Sequence, residues 1–147
     1  MPERETLRRA EKDKAEGKSP STQAGEFVHE EIEHIREGKH GARSAKQAIA
    51  IGLSKARRAG VKLPPPKKGK ASKETREQAK RDVKKGKASK EKPSAKRSRA
   101  TLNALKREGR SAASKTALSR HAHKAAAKRS AASRSRSARK AAATRKK

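Results

Sequence analysis

The chain has 147 residues, of which 29% are hydrophobic and 40% charged; Phe27 is the single aromatic side chain and cysteine is absent. Ordering a residue costs roughly 1–2 kcal/mol of backbone entropy, so this composition argues against one continuous core and excludes a disulfide scaffold, a thiolate metal site and a cysteine nucleophile. The net charge of +29 opposes a compact free state and points to a polyanionic partner.

Residues 1–20 form a charged N-terminal segment. Glu5 with Arg9, and Lys12 with Glu16, stand four apart, the spacing of a solvated helix that ends near Gly17. Residues 21–63 carry nearly all the large apolar side chains. Ala24, Phe27, Val28, Ile32 and Ile35 fall on one face of an amphipathic helix, which Gly38 ends. Ser44 then caps a second helix, and Gln47 three residues on completes a capping-box pattern. Ala48, Ile49, Gly52, Leu53 and Ala56 make its stripe of small and branched residues. Arg57 and Arg58 suit its last turn, Gly60 its left-handed stop, and three prolines at 64–66 forbid continuation. The two helices are expected to pair as a hairpin through Phe27, Val28, Ile32, Ile35, Ile49 and Leu53. A pair this small is marginal alone, and a homodimer through residues 21–63 is one remedy.

Residues 64–96 read as a basic linker in which "KKGKASKE" occurs at 67–74 and again at 84–91. Ser72 caps a short helix here that Gly86 stops. Residues 97–147 are rich in Ala, Ser, Lys and Arg. Residues 1–63 hold 14 basic and 10 acidic side chains, residues 64–147 hold 30 and 5, and no acidic residue follows Glu108. The fold class expected is therefore mostly α with extensive disorder: a small N-terminal helical hairpin and a low-complexity C-terminal half. Like-charge repulsion opposes helix in the free tail, so the tail is expected to be helical only marginally, or on binding.

Phosphate contact is the chemistry that such cation density serves, because each phosphate neutralised releases a condensed counterion without reading sequence. The residues expected to make it begin with Lys55, Arg57 and Arg58 of the second helix. Lys67, Lys68, Lys70, Lys84, Lys85 and Lys87 follow in the linker, and Lys96, Arg97, Arg99, Lys106, Arg107 and Arg110 at the start of the tail. Lys115, Arg120, Lys124, Lys128 and Arg129 lie in its middle, and Arg134, Arg136, Arg139, Lys140, Arg145, Lys146 and Lys147 at its end. Zinc-finger spacing, aromatic RNP-type motifs and zipper heptads are missing. Double-stranded DNA is the expected partner, and RNA the alternative.

Other chemistries read weakly. His29 and His34 are five apart and His121 and His123 two apart, spacings that point ring pairs away from each other on a helix; no metal and no cofactor are expected. Glu30, Glu31, Glu33 and Glu37 read as a solvated helix face rather than an acid-base pair, and His34 and His40 as exposed hinge or helix-end residues. No enzyme is expected. No apolar run approaches the roughly 20 residues of a membrane span, and residues 1–18 lack the apolar core of a secretory signal. A cytoplasmic location, with no membrane partner, follows as an expectation.

The tail "KTALSRHAHKAAAKRSAASRSRSARKAAATRKK" resembles the Ala/Lys/Ser-rich tails of linker histones and of bacterial histone-like proteins. That resemblance implies binding and condensation of DNA without sequence preference. Many such tails carry frequent Lys-Pro and Ala-Pro pairs; here Pro93 is the single proline after Pro66. The block "GARSAKQAIAIGLSKARRAG", 41–60, is similar to small basic bacterial proteins of uncharacterised activity, which implies a bacterial source and a nucleoid location. The reading is a non-enzymatic, nucleoid-associated DNA-binding protein. An RNA-binding or ribosome-associated assembly factor is the alternative, and a stress-related protein-interaction module the second.

Overall fold

The computed structural model describes residues 1–88 and 94–145, and its helices follow the capping signals closely. Helix α1 (Arg4–Ala15) stops before Gly17, which takes φ +71°. Helix α2 (Pro20–Arg36) has proline in its first turn and Ser19 as its cap, the hydroxyl accepting from Thr22 N–H. Helix α3 (Ala45–Arg58) is capped by Ser44, which accepts from Gln47 N–H, while Gln47 Oε1 accepts from Arg43 N–H at 2.7 Å. Helix α4 (Lys73–Lys87) is capped by Ser72, α6 (Lys115–Ala127) by Ser114 and α7 (Ala131–Arg145) by Ser130. Helix α5 (Ala95–Lys106) and a 3₁₀ turn (Ser111–Ala113) complete the order.

Helices α2 and α3 run in opposite directions and form the centre. Ala24 and Phe27, near the start of α2, pack with Ala56 near the end of α3; Ala10 of α1 joins them, with Leu7, Leu53, Val61 and Leu63 around the edge. Ile32 and Ile35, near the end of α2, pack with Ala48 near the start of α3 and with Ala42, Ala112 and Ala113; Val28 and Leu118 flank that cluster. Phe27, Ile32 and Ile35 are the large members of a core otherwise built from alanine. Ile49 is half-buried at the margin, since the inward stripe of α3 is Ala45, Ala48, Gly52 and Ala56. Gly52 explains the fit: a Cβ there would lie 2.7 Å from Val28 Cα and 3.0 Å from Phe27 O, so the two backbones nearly touch.

This architecture corrects the expectation of a disordered chain around an isolated hairpin. The described residues form a compact all-α protein of seven helices, and the hairpin is covered on several sides. α1 lays Thr6 and Ala10 against α2, and α4 lays Ala79 and Asp82 against α3. The tail also returns to the hairpin. Gly41 N–H donates to Leu105 O, Ala42 N–H to Gly109 O and Arg36 Nε to Ala113 O, which seats the 3₁₀ turn over Ile32 and Ile35. The tail is helical without a bound partner because its own serine caps define the ends, and alanine, lysine and arginine carry little helix cost. Gly86 does not stop α4; it lies within the helix, where its Cβ position falls on Arg57 O, and serves as a point of close approach.

The repeated octapeptide adopts two structures. Its first copy makes a turn with Gly69 at φ +83° before α4, and Lys84–Lys87 of the second copy form the last turn of the same helix. The end of the second copy, and Pro93, lie outside the described residues.

Gly52→Ala is expected to push α2 from α3 and destabilise the protein by about 1–3 kcal/mol. Gly25→Ala, in α2 with open space around its Cβ position, is expected to stabilise by about 0.5–1 kcal/mol. Denaturant melts of the two variants check the contrast.

Candidate nucleic-acid interface

Two populations of cation separate in the fold. Up to α4, many cations are matched within the protein: Arg8 with Glu5, Arg9 with Glu26, Lys18 with Asp13 and Glu16, and Lys39 with Glu3 and Glu37. Hydrogen bonding to Glu5 raises the Arg8 guanidinium, while the His34 hydrogen bond first, and then Lys39, hold the Glu3 carboxyl below its usual range. Beyond α4 the matching ends. Among the described residues no lysine or arginine of α5, α6 or α7 has an acidic partner within ion-pair distance; Glu108, the last acid in the chain, faces Arg43 at 3.7 Å.

The residues expected to meet phosphate divide along this line. Lys67, Lys68 and Lys70 are exposed on the turn before α4, and Lys84, Lys85 and Lys87 on its last turn. Lys96, Arg97, Arg99 and Lys106 are exposed on α5, and Arg107 and Arg110 beyond it; Lys115, Arg120 and Lys124 are exposed on α6, with Lys128 and Arg129 after it. On α7, Arg134, Arg136, Arg139, Lys140 and Arg145 are exposed and, at 100° per residue, surround the helix rather than line one face. α7 therefore has no apolar stripe to bury. Arg129, just before α7, reaches forward along it, donating to Ser133 Oγ at 3.1 Å and to Ser137 Oγ. Lys146 and Lys147 lie outside the described residues.

Lys55, Arg57 and Arg58 are placed differently: Lys55 and Arg57 turn into the protein, and Arg58 lies half-exposed along the seam with α4. Arg57 is buried and donates to Leu63 O and Pro64 O, fastening the chain before the prolines; burial pulls its guanidinium below the ordinary range. Arg58 meets Asp82 of α4 at 3.2 Å, where Ser54 and Gln78 also donate to that fully buried carboxylate. Lys55 Nζ lies 2.6 Å from Glu31 Oε2 and 3.6 Å from Glu30 Oε1.

The solvated acidic face is corrected as well. Glu31 is fully buried and Glu30 4% exposed, because α1 and the loop after α2 close over that side of α2. Glu3 N–H donates to Glu30 Oε2 at 3.1 Å. His40 is buried, not an exposed hinge, with Nε2 at 3.1 Å from Glu31 Oε1, and His34 meets Glu3 Oε1 at 2.9 Å. Sequence reading missed His40 as a partner of Glu31 because a loop brings it there, with no helical register to count. The faint signal was in the "EEIEH" run itself: adjacent glutamates at 30 and 31 cannot both face solvent if Phe27 and Ile35 face the core.

A family model matches residues 14–68; its description is a family of unknown function, DUF6496. No curated protein and no solved structure matches the chain. The matched segment holds α2, α3 and the proline stop, and with them Gly52, Glu31, His34, His40 and Lys55. No described helix is long and apolar enough to cross a membrane.

Lys55→Met strands the buried Glu31 charge, and a loss of about 3–5 kcal/mol is expected. Arg8→Ala, which removes an exposed and solvent-screened pair, is expected to leave stability almost unchanged. Urea midpoints of the two variants measure the difference.

Proposed function

We propose that this protein binds nucleic acid through phosphate contacts without reading sequence, with double-stranded DNA as its principal partner and compaction of a bacterial nucleoid as its role. The reading is non-enzymatic. The observation that carries it is the cation partition. The helices from α5 onward present lysine and arginine with no acidic partner among the described residues, whereas Arg8, Arg9, Arg36, Lys55, Arg58 and Lys80 of the first four helices are each engaged by an acid. A helix encircled by cations gains most from a polyanion that surrounds or grooves it, because every phosphate neutralised releases a counterion. Ser133, Ala138 and Ala141 to Ala143 keep the spaces between those cations small, so that the backbone can approach a groove.

Helix in the unbound tail changes the energetics expected of binding. A segment that folds on binding gives up ordering free energy at that step. Preformed helices avoid much of it, and the hinges between α5, α6 and α7 remain to adapt. The central helices supply no phosphate contacts in this reading; they hold the roots of α5 and α6 through Gly41, Ala42 and Arg36.

Affinity for duplex DNA is expected to fall about 10³–10⁵-fold between 50 and 200 mM salt if roughly 6–10 phosphates are met, with little difference between unrelated sequences. Truncation after Ser130 removes α7 and, among the described residues, no buried one, and is expected to lower the salt slope by about 3–5. Fluorescence anisotropy on duplex DNA, single-stranded DNA and structured RNA makes the measurement. A shallow slope, or one unchanged by the truncation, overturns the phosphate reading; a preference for RNA moves the role to RNA or ribosome assembly.

A further inference from the structure

Below the loop that follows α2, three side chains converge for which no role has been assigned. Glu31, His34 and His40 can each present one ligand atom so that all three atoms lie within 4.8 Å of one another. The central group is unusual. Glu31 is fully buried, both of its carboxylate oxygens are shut from solvent, and neither has an aligned hydrogen-bond donor, although Lys55 approaches one and His40 the other. Lys55 Nζ answers the charge at Oε2, whereas Oε1 is left buried against a ring nitrogen of His40, a costly place for a carboxylate oxygen.

The two rings are held as ligands are held. His40 Nδ1–H donates to Gly41 O at 3.0 Å. The partner there is an acceptor only, so the proton sits on Nδ1, and a neutral His40 turns the lone pair of Nε2 toward Glu31 Oε1, 3.1 Å away. Two lone pairs at that distance repel unless a proton or a metal ion lies between them. Ligand atoms on a tetrahedral zinc stand about 3.4 Å apart, from bond lengths of about 2.0–2.1 Å. His34 has its Nε2 on Glu3 Oε1. An outer oxygen partner on one ring nitrogen is the usual device that fixes the tautomer of a metal-bound histidine. His34 and His40 stand edge to face, with ring centroids 6.3 Å apart.

We propose that Glu31, His34 and His40 bind one divalent first-row cation of the zinc class. One carboxylate oxygen and one nitrogen from each ring supply three ligands, with water completing the set, and Lys55 retains the other oxygen of Glu31. The mixed nitrogen and oxygen donors favour zinc over magnesium or calcium. Beside His34 lies a cleft of about 180 Å³, in which the carboxylates of Glu3, Glu30, Glu33 and Glu37 are accompanied by Arg9 and Lys39. The ion ties α2 to the loop whose Gly41 and Ala42 hold the tail at Leu105 and Gly109. Its role is therefore structural, a staple between the helical core and the root of the cationic helices.

The test uses tag-free, full-length protein, stripped of metal by a chelator and cleared of nucleic acid, titrated with zinc chloride and then with magnesium chloride. One equivalent of zinc per chain is expected by calorimetry, with a higher melting temperature, and no such response to magnesium. His34→Gln and His40→Gln are each expected to weaken zinc binding at least about tenfold, whereas the double variant His121→Gln/His123→Gln keeps it. Should the first two variants fail to fold by circular dichroism, ring ¹⁵N shifts of the unsubstituted protein decide. Zinc is expected to move His34 and His40 and leave His29, His121 and His123 in place. Zinc binding unchanged in folded His34→Gln and His40→Gln overturns the proposal. So do ring shifts confined to the other histidines, and rings of His34 and His40 that ignore zinc.

Discussion

A core made almost wholly of alanine is the constraint on which this structure depends. Alanine offers little apolar surface, so helices of alanine stabilise one another only where their backbones come very close. Gly52 against Val28 and Gly86 against Arg57 are the places where that closeness is reached. Phe27, Ile32 and Ile35, each worth about 1.5–3 kcal/mol when buried, sit on either side of the first contact. The same shortage explains why so much of the chain is recruited. The centre is covered by α1, α4, the 3₁₀ turn and part of α6, because no single pair of helices has enough surface to be stable.

The second consequence is that charge enters the interior. With few large side chains, the space between α2, α3 and the loop after α2 is filled by Glu30, Glu31, His40 and the stem of Lys55, and that between α3 and α4 by Asp82 with Arg58 and Ser54. Such groups stabilise little when compared with apolar packing, yet removing one partner is costly. They make the arrangement of helices specific. The acids that enter the interior all lie before Glu108, and the helices after that residue carry cations alone. Core and cationic extension are thus two results of one distribution of charge.

What was legible in the sequence was local. Ser44, Gln47, Gly60 and the prolines describe α3 because capping and stopping depend on neighbours in the chain, and the apolar face of α2 follows from period alone. What was not legible came from distant segments. Glu30 and Glu31 have the pattern of a solvated face, and become buried because α1 and the loop at His40 close over them. "KKGKASKE" contributes a turn in one place and a helix end in another, since Arg57 lies against the second copy and nothing comparable lies against the first. Ala112 and Ala113 carry no signal of burial, and acquire it from Ile32 and Ile35. Repulsion among the cations of the tail points to a segment that folds only with a partner; it is helical nonetheless, because alanine, lysine and arginine carry little helix cost and Ser114 and Ser130 cap α6 and α7. Lys55, Arg57 and Arg58 looked like phosphate ligands by charge, and the carbonyls and carboxylates that claim them arrive from other helices.

The central claim is a division of labour: a helical core that neutralises itself, and cationic helices that meet a polyanion. Amide hydrogen exchange, followed peptide by peptide with and without duplex DNA, tests it most directly. The account predicts protection across α2, α3 and α4 that DNA does not alter, and new protection confined to α5, α6 and α7 when DNA is added. New protection in α2 and α3, or no change in α5 to α7, would contradict it.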